Sequence, residues 1–230
     1  MTQQLWWYAV RASGVVAWVL VTASVVWGLL LASRSTTRPR PAWVLDLHKF
    51  LGALTLAFLG VHLVGLLFDK WVGFGPRELF VPMASEYRPG ALAWGIIALY
   101  LLGVVEVSSR LMRWIPRRAW HTIHLLSFVV FVMTTVHVLT AGTDARRLPT
   151  VVFAWASSLL VAGLLMFRVT VRVLAARRRS ALRGRLEAHE RLPSRSLEPI
   201  DDAIGDLVRR RDPAARHGHH RSGAPRSTPR

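Results

Sequence analysis

Five stretches of about 20 predominantly apolar residues, the length a helix needs to cross the hydrocarbon core of a bilayer, dominate this chain. They are Ala12–Ala32, Trp43–Phe68, Gly90–Ser109, Trp120–Ala141 and Pro149–Phe167. Lipid offers no water to unpaired backbone groups, so segments of this kind must close their hydrogen bonds internally, as helices. Composition fits this picture only if its two extremes are segregated: 52% of the 230 residues are hydrophobic, yet the formal net charge is +17. The apolar runs lie ahead of residue 168 and the Arg-rich remainder follows. The expected fold is all-α, an integral membrane bundle of five transmembrane helices within residues 1–173, followed by a basic C-terminal tail, 174–230. Beyond Leu174 the chain has 14 Arg against 7 acidic residues, with Pro and Ser, a composition that predicts a mostly disordered segment. Within it, Leu197, Ile200, Ile204 and Leu207 have rough helical spacing, enough for a small docking helix for a cytoplasmic reductase.

The first stretch is not a signal peptide, because residues 1–10 carry no Lys or Arg to form a positive leading region and the apolar run is too long. Basic residues in short loops are retained on the cytoplasmic side. Arg34, Arg38 and Arg40 follow the first stretch, Arg110, Arg113, Arg117 and Arg118 the third, and Arg168, Arg172 and Arg177–Arg179 the fifth. All three clusters fall on one side, which predicts a cell-membrane protein with its N-terminus outside and its tail cytoplasmic. Trp6, Trp7, Tyr8, Trp43, Trp71 and Trp114 lie near predicted helix ends, where amphipathic rings anchor in the headgroup region. The outer loop Asp69–Pro89, with Trp71, Phe74, Phe80, Val81 and Pro82, either folds back to shape access to the membrane interior or packs at the interface.

Cysteine is absent, which removes disulfides, iron–sulfur clusters, covalent haem attachment and thiol catalysis together. Any redox cofactor must hang on histidine. The strong positive charge flanks hydrophobic spans, so the expected partner is a bilayer with anionic lipid and not nucleic acid.

Ionisable residues inside a span are costly and mark bundle interiors or functional paths. His48, His62, His121, His124 and His137 are such residues, all on the second and fourth stretches. Those two helices run parallel. His48 and His124 each lie about one turn in from the cytoplasmic end, and His62 and His137 one to two turns below the outer end. Each level therefore has one histidine from each helix, the arrangement that two bis-imidazole b-type haems require. The separations, 14 and 13 residues, correspond to about 20 Å along each axis. Phase is less regular. At about 100° per residue a step of 14 returns near the starting face, whereas a step of 13 lands about 140° away, so the fourth stretch is expected to curve, tilt or hold a bulge. Spacing does not choose between His121 and His124; depth favours His124, and His121 reads as interfacial. His189, His217, His219 and His220 belong to the tail.

At these residues the sequence resembles the ferric reductase-like transmembrane domain family, whose wider relatives include NADPH oxidases and the haem subunit of bacterial methionine-sulfoxide reductase systems. The resemblance runs from Arg11-Ala12-Ser13-Gly14 through Leu47-His48-Lys49-Phe50-Leu51-Gly52, His62 and the loop Val81–Pro89. It resumes at Ser108-Ser109, Trp120, His124, Ser127-Phe128, His137 and Ala141-Gly142-Thr143-Asp144. It implies axial ligation of two haem b irons by His48, His62, His124 and His137. Many such proteins continue into flavin- and NADPH-binding domains, and residues 174–230 contain no Gly-rich signature for either. The expected donor is therefore a separate protein or a quinol, any flavin being supplied from outside this chain.

The expected function is transmembrane electron transfer, from a donor at the inner haem (His48/His124) to an outside acceptor at the outer haem (His62/His137), with no catalytic side chain assigned. A histidine-lined proton or metal transporter, and a membrane anchor that recruits a soluble reductase through its tail, are the alternatives. Glu106 with Arg110 reads as an interfacial ion pair. Arg11 either reaches an outer haem propionate or snorkels to the headgroups.

Overall fold

A computed structural model of the chain describes residues 2–33, 41–70, 73–190 and 198–211. The basic cluster Arg34, Arg38 and Arg40, the anchor Trp71, Leu197 and the tail histidines His217, His219 and His220 lie outside the described residues. Among the described residues seven helices follow one another: α1 (Thr2–Ser33), α2 (Ala42–Phe68), α3 (Pro76–Phe80), α4 (Pro89–Arg110), α5 (Arg117–Ala141), α6 (Leu148–Glu190) and α7 (Glu198–Arg211). Five of them, α1, α2, α4, α5 and α6, are long and apolar enough to cross a membrane, and the described residues contain no strand. The protein is an all-α, multi-pass membrane bundle.

The chain divides into two compact units, Met1–Val171 and Arg172–Arg230. In the first, α1 pairs with α2, and α4 with α5, as two antiparallel hairpins, and α1 also packs on α5. Val21, Val25 and Leu29 of α1 meet Val130 and Phe131 of α5 and Val161 of α6 in one buried cluster. Outward-facing Val15, Val19, Leu45, Val61, Val64, Val104 and Val132 are exposed, as a lipid-facing surface requires. Two indole N–H groups tie the bundle: Trp18 of α1 donates to Thr135 Oγ1 of α5 at 3.0 Å, between the hairpins, and Trp27 donates to the Val44 carbonyl of α2 at 2.8 Å, within the first.

Helix starts follow proline. Pro41 and Pro116 precede α2 and α5, and Pro76 and Pro89 occupy the first helical positions of α3 and α4, where a missing N–H costs nothing. The turn into α4 is made by Arg88 in a left-handed conformation (φ 45°), held by a bond from its guanidinium to the Thr140 carbonyl at 2.9 Å.

Two boundaries differ from the sequence expectation. α1 begins at Thr2 and not at Ala12, because Arg11 is neutralised by Asp144 and so does not end the apolar helix. In the second unit helix extends to Glu190, and α7 covers Ile200, Ile204 and Leu207, whose spacing predicts a small helix. The Ala, Leu, Arg and Glu of residues 174–190 are strong helix formers.

Candidate haem-binding site

The two hairpins face each other through their histidines. On α2 and α5, His48 and His124 lie side by side, ring centroids 6.0 Å apart and planes at 73°. His62 and His137 both line a cavity of about 330 Å³ bounded by α1, α2, α4 and α5, a volume within the roughly 300–1,000 Å³ common for cofactor sites. His121 is exposed and His189 is exposed; neither joins these pairs.

Each imidazole is held from behind by the helix that partners its own. His62 Nδ1 is 2.8 Å from the Val10 carbonyl of α1, and His137 Nδ1 is 2.8 Å from the Ala91 carbonyl of α4. A carbonyl only accepts, so Nδ1 must be the protonated nitrogen in both rings, and Nε2 keeps its lone pair. His48 Nδ1 is 3.4 Å from the Ser24 hydroxyl of α1. His124 Nδ1 is 3.4 Å from the Ser109 hydroxyl.

Glycines make the close approach possible. An added Cβ at Gly14 would stand 2.9 Å from the His62 ring, at Gly28 3.3 Å from the His48 ring, and at Gly95 2.7 Å from the His137 ring. Real Cβ atoms are essentially never found under 3.0 Å, so Gly14 and Gly95 are cradles that any side chain would fill. Sequence reasoning noted Gly14 and Ser109 only as motif residues and missed Gly28, Gly95 and the carbonyls. One signal was available: Gly14 and Gly28 are fourteen residues apart, as are His48 and His62.

α5 is α-helical from end to end, so no bulge absorbs the 13-residue step. Both of its rings nevertheless meet α4. Two crossing helices change the faces they share along their length, which lets ligands on different faces of α5 serve one groove.

Arg11 ion-pairs with Asp144, the two side chains about one quarter exposed, its guanidinium lies over the Trp7 ring at 4.1 Å, and it lines the cavity. Trp7 lines the cavity, so it is more than a headgroup anchor, and Trp6 stacks on Phe68 at 5.1 Å. Trp43 and Trp114 are exposed, as anchors should be. Glu106 pairs with Arg110 at 3.5 Å and also lies against α2, where a Cβ on Gly52 would be 2.5 Å from its Oε1. The segment between α2 and α4 folds back: Phe74 and Leu79 are buried, and both line the cavity with Tyr87. Tyr100 fastens the loop by donating to the Phe80 carbonyl at 2.7 Å.

These residues suit haem. Nitrogen–metal bonds of roughly 2 Å fit between the His48 and His124 rings, and each ring is held with one nitrogen available. Trp120 stacks on His124 at 5.1 Å and 23°, and its buried Nε1–H has no hydrogen-bond partner among the described residues, a donor still lacking its acceptor. No group of three or more His, Cys, Asp or Glu side chains is gathered for a metal ion among the described residues. Paired imidazoles suffice where a macrocycle supplies the other ligands.

Fold and site together define a helical membrane protein with histidine pairs half-buried between two hairpins. Residues 8–135, more than half of the chain, match the family described as ferric reductase like transmembrane component, and the protein belongs to that family. Members generally bind haem, and membership supports a transmembrane oxidoreductase or electron-transfer role. No curated protein and no solved structure matches the chain.

Proposed function

We propose that the protein is a two-haem electron conduit of the cell membrane, with His48 and His124 ligating an inner haem b and His62 and His137 an outer one. The observation that carries this reading is the common support of the four rings: each imidazole is backed at Nδ1 by the adjacent helix, which orients Nε2 for a metal. Hydrogen bonds of this kind, behind a ligating ring, fix its orientation and raise its basicity. Haem, when bound, supplies one-electron redox chemistry. The chain's own part is to hold the rings at two depths and to exclude water with lipid-facing Val and Leu.

The basic clusters Arg110, Arg113, Arg117, Arg118 and Arg168, Arg172, Arg177–Arg179 support an N-terminus outside and a cytoplasmic tail. The donor side is then the His48/His124 end, served by a separate protein or quinol, and the acceptor side lies under the loop that carries Phe74 and Leu79.

Sealed vesicles with a reductant inside and an impermeant ferric acceptor outside test this directly. Wild type is expected to reduce the acceptor, and His62→Ala and His124→Ala each to slow it at least tenfold. Equal rates from all three would overturn the reading.

A further inference from the structure

Two of the four rings share one construction on the neighbouring helix, a carbonyl at one residue and a glycine four residues later: His62 has Val10 with Gly14, and His137 has Ala91 with Gly95. His48 has Ser24 with Gly28 at the same spacing, its Nδ1 3.4 Å from the Ser24 hydroxyl. The fourth place by this rule is Val105 with Ser109, and here the construction changes. Ser109 stands where glycine would, donates its hydroxyl proton to the Val105 carbonyl at 2.7 Å, and presents its oxygen 3.4 Å from His124 Nδ1.

A hydroxyl has one proton. With it committed to Val105, Ser109 Oγ faces His124 only as an acceptor, so it selects the tautomer with Nδ1 protonated and Nε2 free, as the carbonyls do elsewhere. The contact is longer than the 2.8 Å bonds of His62 and His137, and a longer hydrogen bond pushes less electron density into the ring.

We propose that Ser109 is the positioning residue of His124, replacing the carbonyl–glycine notch, and that its hydroxyl sets the donor strength of His124. This rests on the haem reading above. A better acceptor at Nδ1 makes the imidazole a stronger donor and favours ferric iron, lowering the midpoint potential; a lost acceptor raises it.

The test uses the full-length, haem-loaded protein in the His62→Ala background, which leaves the inner haem for observation, with its midpoint potential and low-spin ferric signal measured. Ser109→Ala is expected to raise the midpoint and move the signal, and Ser109→Thr to restore both. Ser109→Gly, which recreates the notch and frees the Val105 carbonyl, is expected to shift the midpoint in the opposite direction from Ser109→Ala. Haem lost from Ser109→Ala but recovered in Ser109→Thr also supports the role. Midpoint and signal unchanged in both Ser109→Ala and Ser109→Gly would overturn it, leaving Ser109 as a helix-internal bond, while the haem reading stands. A wild type that binds no haem removes the haem reading itself and this proposal with it.

Discussion

A methyl group added at Gly95 would stand 2.7 Å from His137 Cε1, too close for the ring to keep its bond to the Ala91 carbonyl. Gly95→Ala is therefore expected to displace His137 and cut haem content by up to one per chain, measured by the pyridine haemochrome. Gly60 offers the control. Nothing lies within 4 Å of its Cβ position, so Gly60→Ala should leave haem content unchanged, and better helix propensity adds about 1 kcal/mol in a helix interior. The Arg11–Asp144 pair makes a different kind of prediction. Asp144 also contacts Arg147 Nε at 2.8 Å, so Asp144→Asn weakens two ion pairs and leaves Arg11 half-buried without a counter-charge. It should cost about 2 kcal/mol in detergent-solubilised unfolding. Arg11→Gln with Asp144→Asn should cost less than the sum of the single changes.

At the scale of elements, the helices that carry the histidines were readable because ionisable residues stand out in apolar runs. The grip on those histidines was not. A glycine in a membrane span reads simply as a small apolar residue, and the matching separations of Gly14 with Gly28 and of His48 with His62 gain meaning only once α1 is known to run antiparallel to α2. α1 itself was cut short at Arg11 because its partner Asp144 lies beyond the fourth span, a distance in sequence that local pattern does not cross. The outer loop had two readings, and its apolar residues decide between them: Phe74 and Leu79 are 9% and 5% exposed. Leu79→Ala is expected to destabilise by about 2–4 kcal/mol through the cavity it leaves. It should also speed reduction by an impermeant outside reagent, read by stopped-flow absorbance; an unchanged rate would mean that the loop does not shield the site.

For the whole molecule, alternating helix direction puts the α4–α5 turn and the outer loop at opposite ends of the bundle. The chain contains no Cys, so single-cysteine labelling needs no background removal. Met83, 63% exposed, is expected to label from outside intact cells as Met83→Cys. Arg113→Cys should label only after permeabilisation, and the reverse pattern would invert the direction of electron flow. Beneath direction lies the central claim, that the four histidines hold two haems. The most direct measurement is the reduced-minus-oxidised spectrum of purified protein with haem quantified per polypeptide, for wild type, His62→Ala and His124→Ala. The account predicts bis-imidazole b-type bands with about two haems per chain and roughly one fewer in each variant. Folded but colourless wild-type protein, expressed with ample haem, would contradict it and return the histidines to a transport path.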